Sequence, residues 1–269
     1  MCCTLGPAKL SDTIVYASKM SNGDHVLGYQ NKATSIQGAL NAMILPIPSK
    51  LAMGPENAVD LTSDKGVLRD YARTIVVNDG GPRLLGSYRK AAGTQVQVFK
   101  TGSYEVVMAL DPTFIPRVVG MIHPGMHIDP QLMEWYGEHY EDWNVAVCFW
   151  RGDIEPEPIM FHFEPIYRTS LFIPTLDSHT GGVPRRLAKL DHTIVFGTSN
   201  NQGLTVRRTT PTAEHLQPYF PDYVMGFEVK DTLLNGDYWL PTAALETISW
   251  EWARDATMRA PAGVPPFAS

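Results

Sequence analysis

The Asn22-Gly23 pair constrains this chain more than any other feature, because it lies between two runs that read as strands. Thr13-Ile14-Val15-Tyr16-Ala17 on one side is rich in β-branched and aromatic residues. His25-Val26-Leu27-Gly28-Tyr29-Gln30 follows on the other. Asn and Gly tolerate the positive φ that a tight hairpin demands, so Ser21 to Asp24 predicts the turn of an antiparallel pair. A third run, Asn41 to Ile47, is apolar and is closed by Pro46 and Pro48. Antiparallel strands therefore begin the fold.

The pattern then changes period. Val67, Leu68, Tyr71 and Ile75 share one face at helical spacing, Ser63-Asp64 offers a cap, and Asn78-Asp79-Gly80-Gly81-Pro82 offers a stop. Val96 to Phe99 and Tyr104 to Ala109 flank Thr101-Gly102-Ser103 and predict a second hairpin. Gln131 to Trp143 reads as a helix with Leu132, Trp135, Tyr136, His139, Tyr140 and Trp143 in one stripe. A ligand-stacking surface and a helix packed on a sheet both fit that stripe, and packing is the ordinary use of aromatics at this spacing.

Val145 to Trp150 is continuous and apolar, as a strand buried on both faces would be. Shorter strands are predicted at 159–163, 171–173, 193–196, 223–229 and 237–240, the last after a turn at Asn235-Gly236. Asp12 to Ala17 is echoed by His192 to Gly197, which marks either two related sheet segments or, as the ordinary explanation, a common strand composition repeated by chance. The fold class is α+β: mostly antiparallel layered sheets with flanking helices. Residues 1–260 are expected to form one globular domain, with 261–269 as a loose tail.

At 269 residues, with 44% hydrophobic and 10% aromatic residues, the chain can bury a sizeable core. Its net charge of −6 argues against nucleic acid as a partner, because phosphate binding needs a basic surface. No run approaches a membrane span, and no leader is expected, so the setting is read as cytoplasmic with no membrane partner. The cysteines are Cys2, Cys3 and Cys148, which do not make a disulfide framework.

Chemistry is suggested first by Cys2. Removal of Met1 would put a thiol and a free α-amine on one residue, a nucleophile with its own base. A Met-Cys start leading into a strand-rich core resembles the cysteine branch of the N-terminal-nucleophile hydrolases. That resemblance implies an α/β/β/α sandwich and cleavage of a linear amide bond in a small-molecule substrate. It makes Cys2 the nucleophile, with Asp12 as an orienting acid and Asn31 as an oxyanion donor. An early arginine found in members of that family has no counterpart, since the first arginine here is Arg69.

A second region, Asp177 to Arg186, combines Asp177, His179, Gly181-Gly182 and Arg185 in a post-strand loop. These are candidates for substrate binding, the glycines permitting close approach and the guanidinium offering a fork for an anion. His162, His179 and His192 could gather as nitrogen ligands, but their spacing matches no metal signature, so neither a metal nor a cofactor is expected. The leading functional reading is a cysteine-type amide hydrolase. The alternative is a non-catalytic β-rich binding or scaffold protein, and the third a metal-dependent hydrolase.

Overall fold

In the computed structural model the period-2 runs become strands of layered, mostly antiparallel sheets, and the 3.6-period runs become flanking helices. The structure describes residues 2–35, 40–75, 96–151, 156–199, 206–207, 213–246 and 257–262. In chain order, β1 (Cys2–Cys3), β2 (Ala8–Lys19), β3 (His25–Ser35) and β4 (Leu40–Ile47) precede α1 (Val67–Thr74). β5 (Val96–Thr101) and β6 (Tyr104–Ala109) lead into α2 (Ile115–Ile122) and α3 (Pro130–His139). Next come β7 (Asn144–Arg151), β8 (Ile159–Phe163), β9 (Ser170–Ile173) and β10 (Asp177–Ser178). They are followed by β11 (Leu187–Lys189), β12 (His192–Thr198), β13 (Val206–Arg207) and β14 (Tyr223–Val229). β15 (Thr232–Leu234), β16 (Asp237–Pro241) and β17 (Met258–Ala260) come last.

The largest sheet has the order β13-β14-β12-β2-β3-β8, and a second has the order β4-β7-β6-β5. Both faces of the six-stranded sheet are buried, and side-chain alternation divides them. Val15, Ala17, Leu27, Tyr29, Ile194 and Phe196 enter the main core. Ile14, Tyr16, Val26, Met160, Val195 and Val224 face a second core closed by Leu68 and Tyr71 of α1. Tyr16, Tyr71 and Phe220 meet there with ring centroids 5.0–5.6 Å apart, contacts worth about 0.5–1.5 kcal/mol each beyond their area. α2 packs against β6 and α3 on the other side of the main core's membership, where Leu132, Met133 and Tyr136 are buried.

The hairpin at Asn22-Gly23 forms with Gly23 at φ +93°, and the Asn22 side chain closes the turn on Asp24. β7 lies inside its sheet between β4 and β6, which is why its sequence is apolar without alternation. The echoed segments are parallel neighbours in one sheet, β2 beside β12, with Thr13 opposite His192. The aromatic stripe is core: Tyr136, Tyr140 and Trp143 are buried, with Trp135 and His139 half-covered.

Three local expectations differ. Ser63-Asp64 does not cap α1; Gly66 occupies that position with no side-chain bond. The helix expected over Gln131–Trp143 starts at Pro130, capped by Asp129, and ends at His139 because Tyr140 leaves helical geometry. α2 was not expected, although Asp111-Pro112 and Pro116 are helix-start residues and Asp111 accepts from Thr113 N. The Asn78–Pro82 stop and residues 263–269 of the expected tail lie outside the described residues.

Candidate functional site

Cys2 and Cys3 form a short parallel ladder with Asp177 and Ser178. Thr4 N donates to Ser178 O (2.9 Å) and Leu5 N to Ala42 O (2.9 Å), so the segment is held from both sides. Asn41, buried on β4, accepts from Gly6 N (3.0 Å) through its side-chain oxygen and donates back to Gly6 O (3.2 Å). Gly181 completes the seat. Its φ is +78°, and a Cβ there would lie 2.5 Å from Leu5 O, so only glycine fits.

Beside this seat is a cleft of about 610 Å³ between Leu5-Gly6-Pro7, Leu40-Asn41 and the Ile122–His127 segment. Its polar side chains are Asn41, His123 and His127. Asn41 is tied to Gly6, and His123 Nε2 sits 2.9 Å from Glu105 Oε2, close but without hydrogen-bond alignment. The His123 ring also packs 4.8 Å from that of Phe149. Leu5, Leu40, Ile122 and Met126 give the cleft an apolar lining.

The residues expected to carry hydrolysis occupy different environments. The backbone of Cys2 pairs with Asp177. Asp12 lies on a bulge of β2 at φ +50°, exposed and ion-paired with Lys32. Asn31, opposite that bulge, is buried and donates to the Tyr29 hydroxyl (3.2 Å). Asp12 and Asn31 thus lie near each other across the β2–β3 bulge, Asp12 open to solvent and Asn31 bonded inside the core.

The second group is brought together. His179 Nε2 lies 3.1 Å from Asp177 Oδ1. Asn235 accepts from Asp177 N (2.8 Å) and donates to Asp177 O (2.7 Å) and Arg185 O (2.9 Å), clamping the loop's two ends. The Arg185 side chain points to solvent. The sequence marked Asn235 only as a turn residue.

The histidines do not act as a set. His162 Nε2 sits 3.1 Å from Glu56 O, and burial holds the His192 imidazole well below its ordinary pKa, hence neutral. Among the described residues no three His, Cys, Asp or Glu side chains gather as a metal would require. Cys3 is buried, its thiol 3.7 Å from Leu176 O, and burial pushes the Cys148 thiol upward.

One buried site went unforeseen. Asp237 accepts from the Tyr140 hydroxyl (2.6 Å) and from the amides of Thr175 (3.0 Å) and Leu176 (3.2 Å). Burial raises its carboxyl above the ordinary range, against the pull of these donors. The group ties the end of α3 to β16 and to the irregular segment between β9 and β10.

The class of protein defined at this level is a strand-rich α+β chain with layered sheets. No family model and no curated protein sequence matches it. Among solved structures it is similar to baculovirus P35, with 11% identity over 94% of this chain and 92% of that one, at a TM-score of 0.47. A mutated baculovirus P35 after caspase cleavage gives 13% identity, 71% and 68% coverage, and a TM-score of 0.42. The complex of caspase-8 with P35 gives 10% identity, 86% and 88% coverage, and a TM-score of 0.40.

The amide-hydrolase reading is therefore corrected. The similar structures are of P35, a protein seen in complex with a caspase, and not of a hydrolase acting on a small amide.

Proposed function

We propose that this chain is a non-catalytic binding protein whose partner is another protein. The observation that carries this is the cleft beside Leu5-Gly6-Pro7. Leu5, Leu40, Ile122 and Met126 give it apolar walls beside the polar His123 and His127, and Asn41 is engaged with Gly6. A preformed apolar recess suits an anchor side chain from a partner, the usual centre of a protein interface. No helix among the described residues is long and apolar enough to cross a membrane. A reducing cytoplasmic setting suits Cys3 and Cys148, which are buried and form no disulfide among the described residues.

P35 is seen bound to caspase-8, which makes caspase-8 the first protein to test as a partner. Calorimetry and size-exclusion chromatography of the mixed proteins should show a complex of fixed stoichiometry, weakened by Ile122→Glu in the cleft wall. Release of product from amide substrates in excess of protein, abolished by Cys2→Ser, would overturn the proposal.

A further inference from the structure

The two-stranded ribbon of β11 and β15 has an outer face that solvent alone does not explain. Leu187 pairs with Leu234, Ala188 with Leu233 and Lys189 with Thr232. Cross-strand partners project to the same side of a ribbon, and successive pairs to opposite sides. Ala188 and Leu233 point inward and pack on the main core. Leu187 and Leu234 consequently point outward as one apolar pair, 57% and 37% exposed, with Val183 nearby in sequence at 40%.

Cations surround this pair. Arg185, Arg186 and Lys189 are all exposed, and no described carboxylate forms an ion pair with any of them. Three unpaired cations on one short arm are conspicuous in a chain of net charge −6. The arm is also held rigidly. Asn235 N donates to Arg186 O (2.8 Å), the Asn235 side chain holds Arg185 O, and buried Arg259 donates through Nε to Leu234 O (2.6 Å). A surface ordered before contact loses less entropy on binding.

We propose that the outer face of this ribbon docks an acidic protein segment with aliphatic anchors: Leu187, Leu234 and Val183 receive the anchors, and Arg185, Arg186 and Lys189 face the carboxylates. This deepens the protein-binding reading and rests on it. Nucleic acid and anionic membrane are less well matched. The exposed apolar pair Leu187 and Leu234 at the centre of the face gives a phosphate backbone nothing to bond to. The ribbon also lacks the aromatic side chains that favour a membrane interface.

The test uses the full chain and a fluorescein-labelled peptide alternating glutamate with leucine, followed by fluorescence anisotropy. Binding should weaken on the order of tenfold with R185E/R186E, and fall further as salt is raised. L187S/L234S should weaken it independently of salt. Both pairs are exposed, so circular dichroism should be unchanged. A peptide with lysine in place of glutamate should not bind. Unchanged peptide affinity in both double variants overturns the docking surface, as does preferential binding to phosphatidylserine vesicles. The caspase-8 complex is measured alongside. Its survival in variants that no longer bind the peptide removes the ribbon from that interface and overturns its role there, while protein binding stands. Amide turnover dependent on Cys2 instead overturns the protein-binding reading.

Discussion

His25 provides a test of the fold that depends on pH. It opens β3 opposite Lys19 of β2 and Phe163 of β8, its ring 6.2 Å from that of Phe163. Burial, followed by the positive charge of Lys19, lowers its pKa from 6.5 to about 4, despite a hydrogen bond to the Arg168 backbone. Between those values the unfolded chain binds the proton that the folded chain refuses. Stability supplied by a neutral His25 is thus fully present above the unfolded value and is lost as pH falls toward about 4. At about 1.4 kcal/mol per pH unit, the loss between about pH 7 and about pH 5 is on the order of 2 kcal/mol. His25→Gln removes the titration while leaving a donor for the Arg168 carbonyl. Urea unfolding followed by tryptophan fluorescence at both pH values should show the wild type losing that much more stability than the variant. His192, also neutral through burial, contributes the same sign to both proteins and cancels in the difference. Equal pH dependence in the two proteins would refute the burial assigned to His25.

Other outcomes follow from contacts already described. Asp237→Ala strips the acceptor from Tyr140, Thr175 and Leu176 and should cost about 3–5 kcal/mol, against about 2 kcal/mol for Tyr140→Phe, both read by urea unfolding. Cys3 and Cys148 should resist iodoacetamide in the native protein and react after unfolding, as peptide mass mapping would show. Asp12→Asn keeps a side chain that tolerates positive φ and removes only an exposed ion pair, so the midpoint of unfolding should move by no more than about 0.5 kcal/mol.

The strands were legible because their signals are local. Asn22-Gly23 and Thr101-Gly102-Ser103 each sit within a few residues of the strands they join, and the apolar run from Val145 to Trp150 carries its central position in its composition. Sheet partnership was not legible in the same way. The pairing of β2 with β12 and of Cys2 with Asp177 depends on contacts between distant parts of the chain, and only the echo at 192–197 hinted at the first. The cleft illustrates the limit for sites. His123 and His127 are close in sequence, but the wall opposite them comes from Leu5, Gly6 and Asn41, far away along the chain. Cys2 drew attention through its chemistry, and one sequence position cannot show where its partners will lie. Asn235 and Asp237 were missed because a turn asparagine and a strand aspartate look ordinary until burial makes their hydrogen bonds obligatory.

The parallel junction of β2 with β12 also sets a timetable for synthesis. β3 can pair with β2 as soon as the first hairpin leaves the ribosome, but the other edge of β2 stays open until His192 to Gly197 arrive. At about 5–20 residues per second, that edge waits roughly 10–35 s. During that interval Ile14, Val15 and Tyr16 present an unpaired apolar strand to the cell, a natural point for a chaperone to hold the chain or for two nascent chains to join in error.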